Sequence, residues 1–115
     1  MGIRYRYHHI GIPTENTVKG MVYIEHLKIY ATDHESNAFG IQWMKHESEC
    51  RIPELVSKVA HVAFEVKNLQ EALRGKKVII EPNSPSPGVR VAFIEEAGAP
   101  IEFLQFAKHS QDIEA

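Results

Sequence analysis

The sequence has little cysteine, which excludes two classes of protein at once. Cys50 is the only cysteine among 115 residues, so the chain has no internal disulfide and no cysteine-rich zinc site. A single thiol is compatible with a reducing compartment. Cys50 lies in the charged segment 46–51, where no helix N-terminus or neighbouring base is predicted to activate it. We interpret it as a free surface thiol and not as a nucleophile.

Long apolar runs and blocks of basic charge are also missing. No segment approaches the roughly 18 apolar residues of a membrane-spanning helix, and the N-terminal MGIRYRYHHIG has no apolar signal core. The formal net charge of -2 gives no attraction to nucleic acid or to anionic membranes. These absences favour a cytoplasmic protein with neither a nucleic acid nor a membrane as its partner.

The composition is that of an ordinary globular domain. The chain has 43% hydrophobic and 24% charged residues, close to the average of soluble proteins. Its length predicts a single domain covering 1–115. A domain of this size buries only about two-thirds of its unfolded surface, so burial against a second subunit would add stability.

Alternating apolar residues predict a chain made mostly of strands. In the first half, the segment 14–20 is too short for more than one helical turn, and the predicted strands are 3–12, 21–24, 27–32 and 39–45. In the second half, a helix at 69–74 follows the first of four predicted strands, which are 61–66, 78–80, 89–95 and 101–106. The proline-rich segment 82–88 is predicted to be a rigid loop.

The two halves of the chain repeat the same pattern. His9-Ile10-Gly11-Ile12 aligns with His61-Val62-Ala63-Phe64, and Ile41-Gln42-Trp43-Met44 aligns with Ile101-Glu102-Phe103-Leu104. The first copy is shorter, because it lacks most of the helix and the proline-rich segment. We predict an internal repeat with module one at about 3–46, a linker at 47–58 and module two at 59–107.

A histidine opens the first strand of the second half, and a glutamate lies in its last strand. Because both strands belong to one small sheet, His61 and Glu102 could face the same surface and begin a metal site. The alternative is that His9 and His61 are hydrogen-bonded core residues and that Glu102 lies on a solvated face. The repeat favours the metal site, since His9 occupies the position in the first half that His61 occupies in the second.

Four motifs, in this order and spacing, resemble those of the glyoxalase/bleomycin-resistance/extradiol-dioxygenase superfamily, also called vicinal oxygen chelate proteins. The resemblance covers roughly residues 5–106, and the motifs that carry it are HIGIP at 9–13, HVAFEV at 61–66, GVRVAFI at 88–94 and PIEFLQ at 100–105. It implies an α+β fold of two βαβββ modules, the first one shortened, that form a curved mixed sheet around a cleft. Such a cleft usually holds a divalent metal ion.

The resemblance also implies a ligand set from the first and last strands of each module: His9, Gln42, His61 and Glu102. This set is similar to that of methylmalonyl-CoA epimerases in the superfamily. Those enzymes have a second carboxylate on an earlier strand of the first module, and Glu25 is the corresponding candidate here. Proton transfer needs a nearby base, and the two candidates are Glu102, which could serve by leaving the metal, and Glu25, which could serve from across the cleft.

Two further residues in the middle of predicted strands are candidates for substrate binding. Arg90 and Tyr30 could contact a substrate carboxylate or carbonyl, and the alternative for Arg90 is a cross-strand salt bridge. The remaining histidines fall in turns or at strand ends, where we expect solvent exposure: His26, His34, His46 and His109. His46 is the first functional candidate among them, because it ends the strand that carries Gln42.

The donor set indicates which ions and reactions to expect. Two imidazoles and one carboxylate suit Fe²⁺, Zn²⁺, Ni²⁺, Co²⁺ or Mn²⁺, whereas Ca²⁺ takes more oxygen ligands. The function expected is a metal-dependent lyase or isomerase/epimerase that acts through an enolate on a small substrate with adjacent oxygens. The alternatives are a metal-free binding or resistance protein of the same fold and an extradiol-type dioxygenase. Members of the superfamily commonly dimerise, so a homodimer is expected.

Overall fold

The structure is a computed structural model that describes residues 2–107 of the chain. Among these residues the strands of a mixed sheet are the main secondary structure, and the helices are few and short, which confirms the predicted α+β class. The strands are β1 Arg6–Pro13, β2 Val22–Ile24, β3 Ile29–Ala31, β4 Ile41–His46, β5 His61–Glu65, β6 Lys77–Ser86, β7 Val89–Glu96 and β8 Ala99–Phe106. The helices are α1 Glu54–Lys58, α2 Leu69–Leu73 and a 3-10 turn at His34–Ser36. No helix within residues 2–107 is long and apolar enough to cross a membrane.

The chain divides into two compact units. Within the described residues, the first unit consists of residues 9–61, and the second consists of residues 62–107 together with residues 2–8. The second unit has the order strand, helix, strand, strand, strand, from β5 through α2 to β8. The first unit repeats the four strands but has no helix between β1 and β2, which confirms the shortened first copy.

In the first unit, the strand order is β2-β3-β4-β1. β1 runs parallel to β4, and Gly11 lies opposite Gln42 in the register. β3 runs antiparallel to β4, with Ile29 opposite His46. Since residues in register share a face and alternate residues return to it, one face carries His9, Gly11, Gln42, Met44 and His46. We call it the His9 face.

In the second unit, the strand order is β5-β8-β7-β6. Helix α2 packs on one face of these strands, and the buried core there consists of Val66, Leu69, Ala72, Ala92, Ile94 and Phe103. The side chain of Asn68 caps the helix by accepting a hydrogen bond from the backbone N–H of Glu71 at 3.0 Å. The backbone N–H of Leu69 donates to Oε1 of Gln105 at 2.6 Å, which attaches the start of α2 to β8.

The proline-rich segment is not the loop that the sequence predicts. Pro82 and Pro85 lie within β6, which continues to Ser86. A proline cannot donate a hydrogen bond to a neighbouring strand, but β6 is the last strand of the sheet and needs a partner on one side only. The register with β7 also shifts at three places along β6, and such bulges accommodate residues that do not pair.

Removing the side chain of Leu69 tests the core beneath α2. Leu69 is 1% exposed, so we expect Leu69→Ala to lower the free energy of unfolding by about 2–5 kcal/mol through lost burial and a cavity. Urea denaturation measures this change. Val59→Ala is the control, because Val59 is 40% exposed; equal losses in the two variants would contradict this description of the core.

Candidate metal centre

Two buried histidines are the first two members of the candidate site. His9 lies in the middle of β1 and is 6% exposed, and His61 is the first residue of β5 and is 2% exposed. Their ring centroids are 5.7 Å apart, with the ring planes at 81°. Side chains alternate along β1, so His9 and Gly11 are buried while His8 and Ile10 are only partly buried.

A buried carboxylate is the third member. Glu102 lies on β8 and is 8% exposed, with Ala63 of β5 and Phe93 of β7 opposite it in the register. It faces away from the α2 core, because its neighbours Ile101 and Phe103 occupy that core. The alternative that Glu102 lies on a solvated face is therefore wrong.

These three side chains form a buried group that could hold a metal ion. One ligand atom from each of His9, His61 and Glu102 lies within 4.8 Å of the other two. Imidazole nitrogen and carboxylate oxygen are suitable donors for a first-row divalent ion. Burial of an ionised carboxylate is costly unless the charge is compensated, so a bound cation is chemically consistent with this group.

Gln42 lies where a fourth donor from β4 is expected. It is half-buried, and it lies on the His9 face because it is opposite Gly11 in the β1–β4 register. Its role as a metal ligand stays a prediction.

Glu25 does not lie on a strand. β2 ends at Ile24, and Glu25 is an exposed residue of the tight turn to β3, where its backbone carbonyl accepts a hydrogen bond from the N–H of Lys28 at 3.2 Å. Because the shortened first module has only three residues in β2, the position expected on a strand falls in the turn. The structure gives no support for Glu25 as a base.

The two candidate substrate-binding residues do not share a face with the candidate metal ligands of their own unit. Tyr30 is opposite Lys45 in the β3–β4 register, so it faces away from Gln42. Its ring lies 4.7 Å from that of Tyr23. Arg90 is exposed and opposite Gln105, so it faces away from Glu102. Their predicted roles therefore have no support from their positions.

A hydrogen bond at the edge of the first unit shifts the titration of one tyrosine. The hydroxyl of Tyr23 donates to Oε1 of Glu47 at 2.8 Å. This hydrogen bond, together with some burial and the carboxylate charge, raises the pKa of Tyr23 to about 12. Tyr23 therefore stays protonated at neutral pH and is no candidate for a base.

The sequence predicts that His34 and His46 are exposed to solvent, but the structure shows both partly buried. His34 is only partly exposed, and its ring centroid is 5.5 Å from that of His9, while its Nδ1 is 3.5 Å from Oδ1 of Asp33. His46 is half-buried on the His9 face. The expectation holds for His26, which is exposed, and His109 lies outside the described residues.

His46 is the last residue of β4, and it lines a cavity. Its Nε2 is buried and has no hydrogen-bond partner within residues 2–107. The residue lines a cavity of about 810 Å³ whose wall also includes Pro13, Cys50 and Lys58. The signal that could have identified it is the strand period, since an even spacing of four places His46 on the same face as Gln42.

We predict that His46 titrates below the ordinary histidine value. Burial is the larger cause and the electrostatic effect of the nearby His61 is the smaller one, and both lower the pKa of His46 from 6.5. The unfolded chain then binds more protons than the folded chain below pH 6.5, so stability is complete above that pH and falls on acidification. NMR titration of metal-free protein measures the midpoint. A midpoint for His46 at or above 6.5 would contradict this.

Comparisons of the sequence find no relatives, and comparisons of the structure find the fold. No protein-family model and no curated protein sequence matches the chain. A hypothetical protein of Bacillus halodurans C-125 has a similar structure, with a TM-score of 0.66 and 20% identity over 88% of this chain and 94% of that one. A methylmalonyl-CoA epimerase of Mycobacterium tuberculosis is also similar, with a TM-score of 0.55 and 18% identity over 95% of this chain and 91% of the enzyme. The resemblance found in the sequence is thus confirmed at the level of the fold.

Proposed function

We propose that this protein is a metal-dependent isomerase/epimerase or lyase that acts through an enolate on a small substrate with adjacent oxygens. The observation that carries the proposal is the buried group of His9, His61 and Glu102. The likeness to a structure named as methylmalonyl-CoA epimerase supports it through the fold, since at 18% identity the likeness does not extend to the substrate.

His9, His61 and Glu102 are proposed to hold the ion, with Gln42 as a fourth donor from β4. Two neutral imidazoles and one carboxylate leave a divalent ion with a net positive charge of about one, which favours binding of anionic or polarised oxygens. When bound, Zn²⁺, Ni²⁺, Co²⁺, Mn²⁺ or Fe²⁺ polarises adjacent substrate oxygens and stabilises the negative charge that develops there.

Glu102 is proposed to accept the substrate proton. A carboxylate with this role needs to be sheltered from water and close to the reacting carbon. Glu102 is buried, whereas the other candidate, Glu25, is exposed in a turn. The assignment therefore favours Glu102 over Glu25.

Metal content tests the first part of the proposal. We expect purified protein to bind about one divalent ion per chain, since three ligand residues define one site, and His61→Ala to weaken binding by at least about 100-fold. Loss of an outer partner of a ligand alone costs about 10–100-fold. Elemental analysis and calorimetric titration measure both. His26→Ala is the matched control because His26 is exposed.

A wild-type protein that binds no ion, or a His61→Ala variant that binds it equally well, would contradict the metal site. Small-molecule binding by the metal-free protein would then favour the binding or resistance function.

Hydrogen–deuterium exchange tests the reaction. In D₂O, the metal-loaded protein is expected to exchange the α-proton of a substrate from a panel of 2-substituted acyl thioesters and α-keto hemithioacetals. Because general base catalysis contributes about 10²–10⁴-fold, Glu102→Gln should lower the exchange rate by that factor. NMR follows the loss of the α-proton signal, and Glu81→Gln, which changes an exposed residue of β6, is the control.

Exchange that survives in Glu102→Gln would exclude Glu102 as the base. Oxygen uptake with a catechol, in the absence of exchange, would favour the dioxygenase instead. The homodimer and the cytoplasmic location stay predictions.

A further inference from the structure

The imidazole of His61 lies directly against the backbone of Gly11. A Cβ atom added to Gly11 would overlap Cε1 of His61 and would lie 2.7 Å from both Nδ1 and Nε2. Real Cβ atoms essentially never come within 3.0 Å of another residue in this way. Since the three atoms belong to one rigid ring, a side chain at position 11 requires the ring of His61 to move.

Gly11 is not needed for its backbone conformation. The glycines with positive φ among the described residues are Gly20, Gly40, Gly75, Gly88 and Gly98. Gly11 instead lies within β1, in register with Gln42 of β4. A glycine inside a strand often marks the close approach of another group, and here that group is the imidazole of His61.

We propose that Gly11 is a positioning residue for the metal centre. The missing side chain allows the ring of His61 to lie on β1, in the place where it also meets the ring of His9 at 5.7 Å. This inference rests on the proposed function, because it assumes that His61 is a ligand. It adds that β1 contributes twice, through the imidazole of His9 and through the space above Gly11.

A positioning role differs from a packing role in what it depends on. If Gly11 acts only through His61, replacing Gly11 has no effect on metal binding once His61 is gone. If Gly11 matters for the general packing of the sheet, the two replacements have independent effects. A double-mutant cycle separates these cases, because it measures the coupling between two positions.

The experiment compares metal-free wild-type protein with Gly11→Ala, His61→Ala, the double variant and the control Gly2→Ala. Among the described residues, nothing lies within 4 Å of a Cβ added at Gly2. Calorimetric titration with Zn²⁺ or Co²⁺ is expected to show about 10–100-fold weaker binding in Gly11→Ala, the range found for groups that orient a ligand. Gly2→Ala should stay within about twofold of wild type, and in the His61→Ala background Gly11→Ala should have no further effect.

A second measurement does not require bound metal. The imidazole NMR signals that disappear in His61→Ala belong to His61, and they are expected to shift in metal-free Gly11→Ala but not in Gly2→Ala. Thermal unfolding gives the sign of the strain. Glycine to alanine within a strand normally stabilises a protein, so a lower Tm in Gly11→Ala that rises again in the double variant locates the strain at His61.

Unchanged metal affinity in Gly11→Ala, or an equal loss in the His61→Ala background, would overturn the inference. Unmoved His61 signals would overturn it as well. A wild-type protein that binds no metal, combined with His61 signals that shift in Gly11→Ala, would refute the proposed function and leave the placement of His61 by Gly11 supported.

Discussion

The cost of burying His9, His61 and Glu102 is the constraint on which the site depends. Each of the three is less than one-tenth exposed, and their ligand atoms lie within 4.8 Å of one another. Removing a carboxylate from water costs several kcal/mol unless an opposite charge or hydrogen bonds compensate. The three side chains form a group that could hold a metal ion, and a bound cation would be one way to compensate the buried carboxylate charge.

The strands separate Glu102 from the apolar core beneath α2. In the second unit, α2 covers the face that carries Phe103 and Ile94, while Glu102 points to the other face because side chains alternate along β8. That other face also carries a second apolar cluster of Ala63, Val89, Val91 and Leu104. In the first unit, the His9 face carries the histidine, Gly11 and Gln42. Strand period thus assigns each candidate side chain to a face.

The second requirement of the site is space for the imidazole of His61, which lies against the backbone of β1 at Gly11. Two imidazoles can pack edge to face only where the strand beneath them leaves space. Gly11 provides that space. The equivalent position in the second half is Ala63, which is fully buried, so both copies of the repeat have a small residue two positions after the histidine.

Residues whose positions the sequence did not predict share one feature, which is that their environment comes from other strands. The alternating runs around His9, His61 and Glu102 were enough to predict strands and their faces. Pro82 and Pro85 lie in a strand because β6 is at the edge of the sheet. Arg90 and Tyr30 were chosen for their chemistry, but the register turns them away from Glu102 and Gln42.

Strand period and internal similarity predicted the strands, the repeat and the residues His9, His61 and Glu102, and the α+β class was what the family resemblance implied. The pattern of residues could not show that Glu25 lies in an exposed turn, that His34 lies beside His9, or that His46 is partly desolvated. Burial and distance depend on which strands become neighbours and in which register, and one-dimensional patterns do not contain that information.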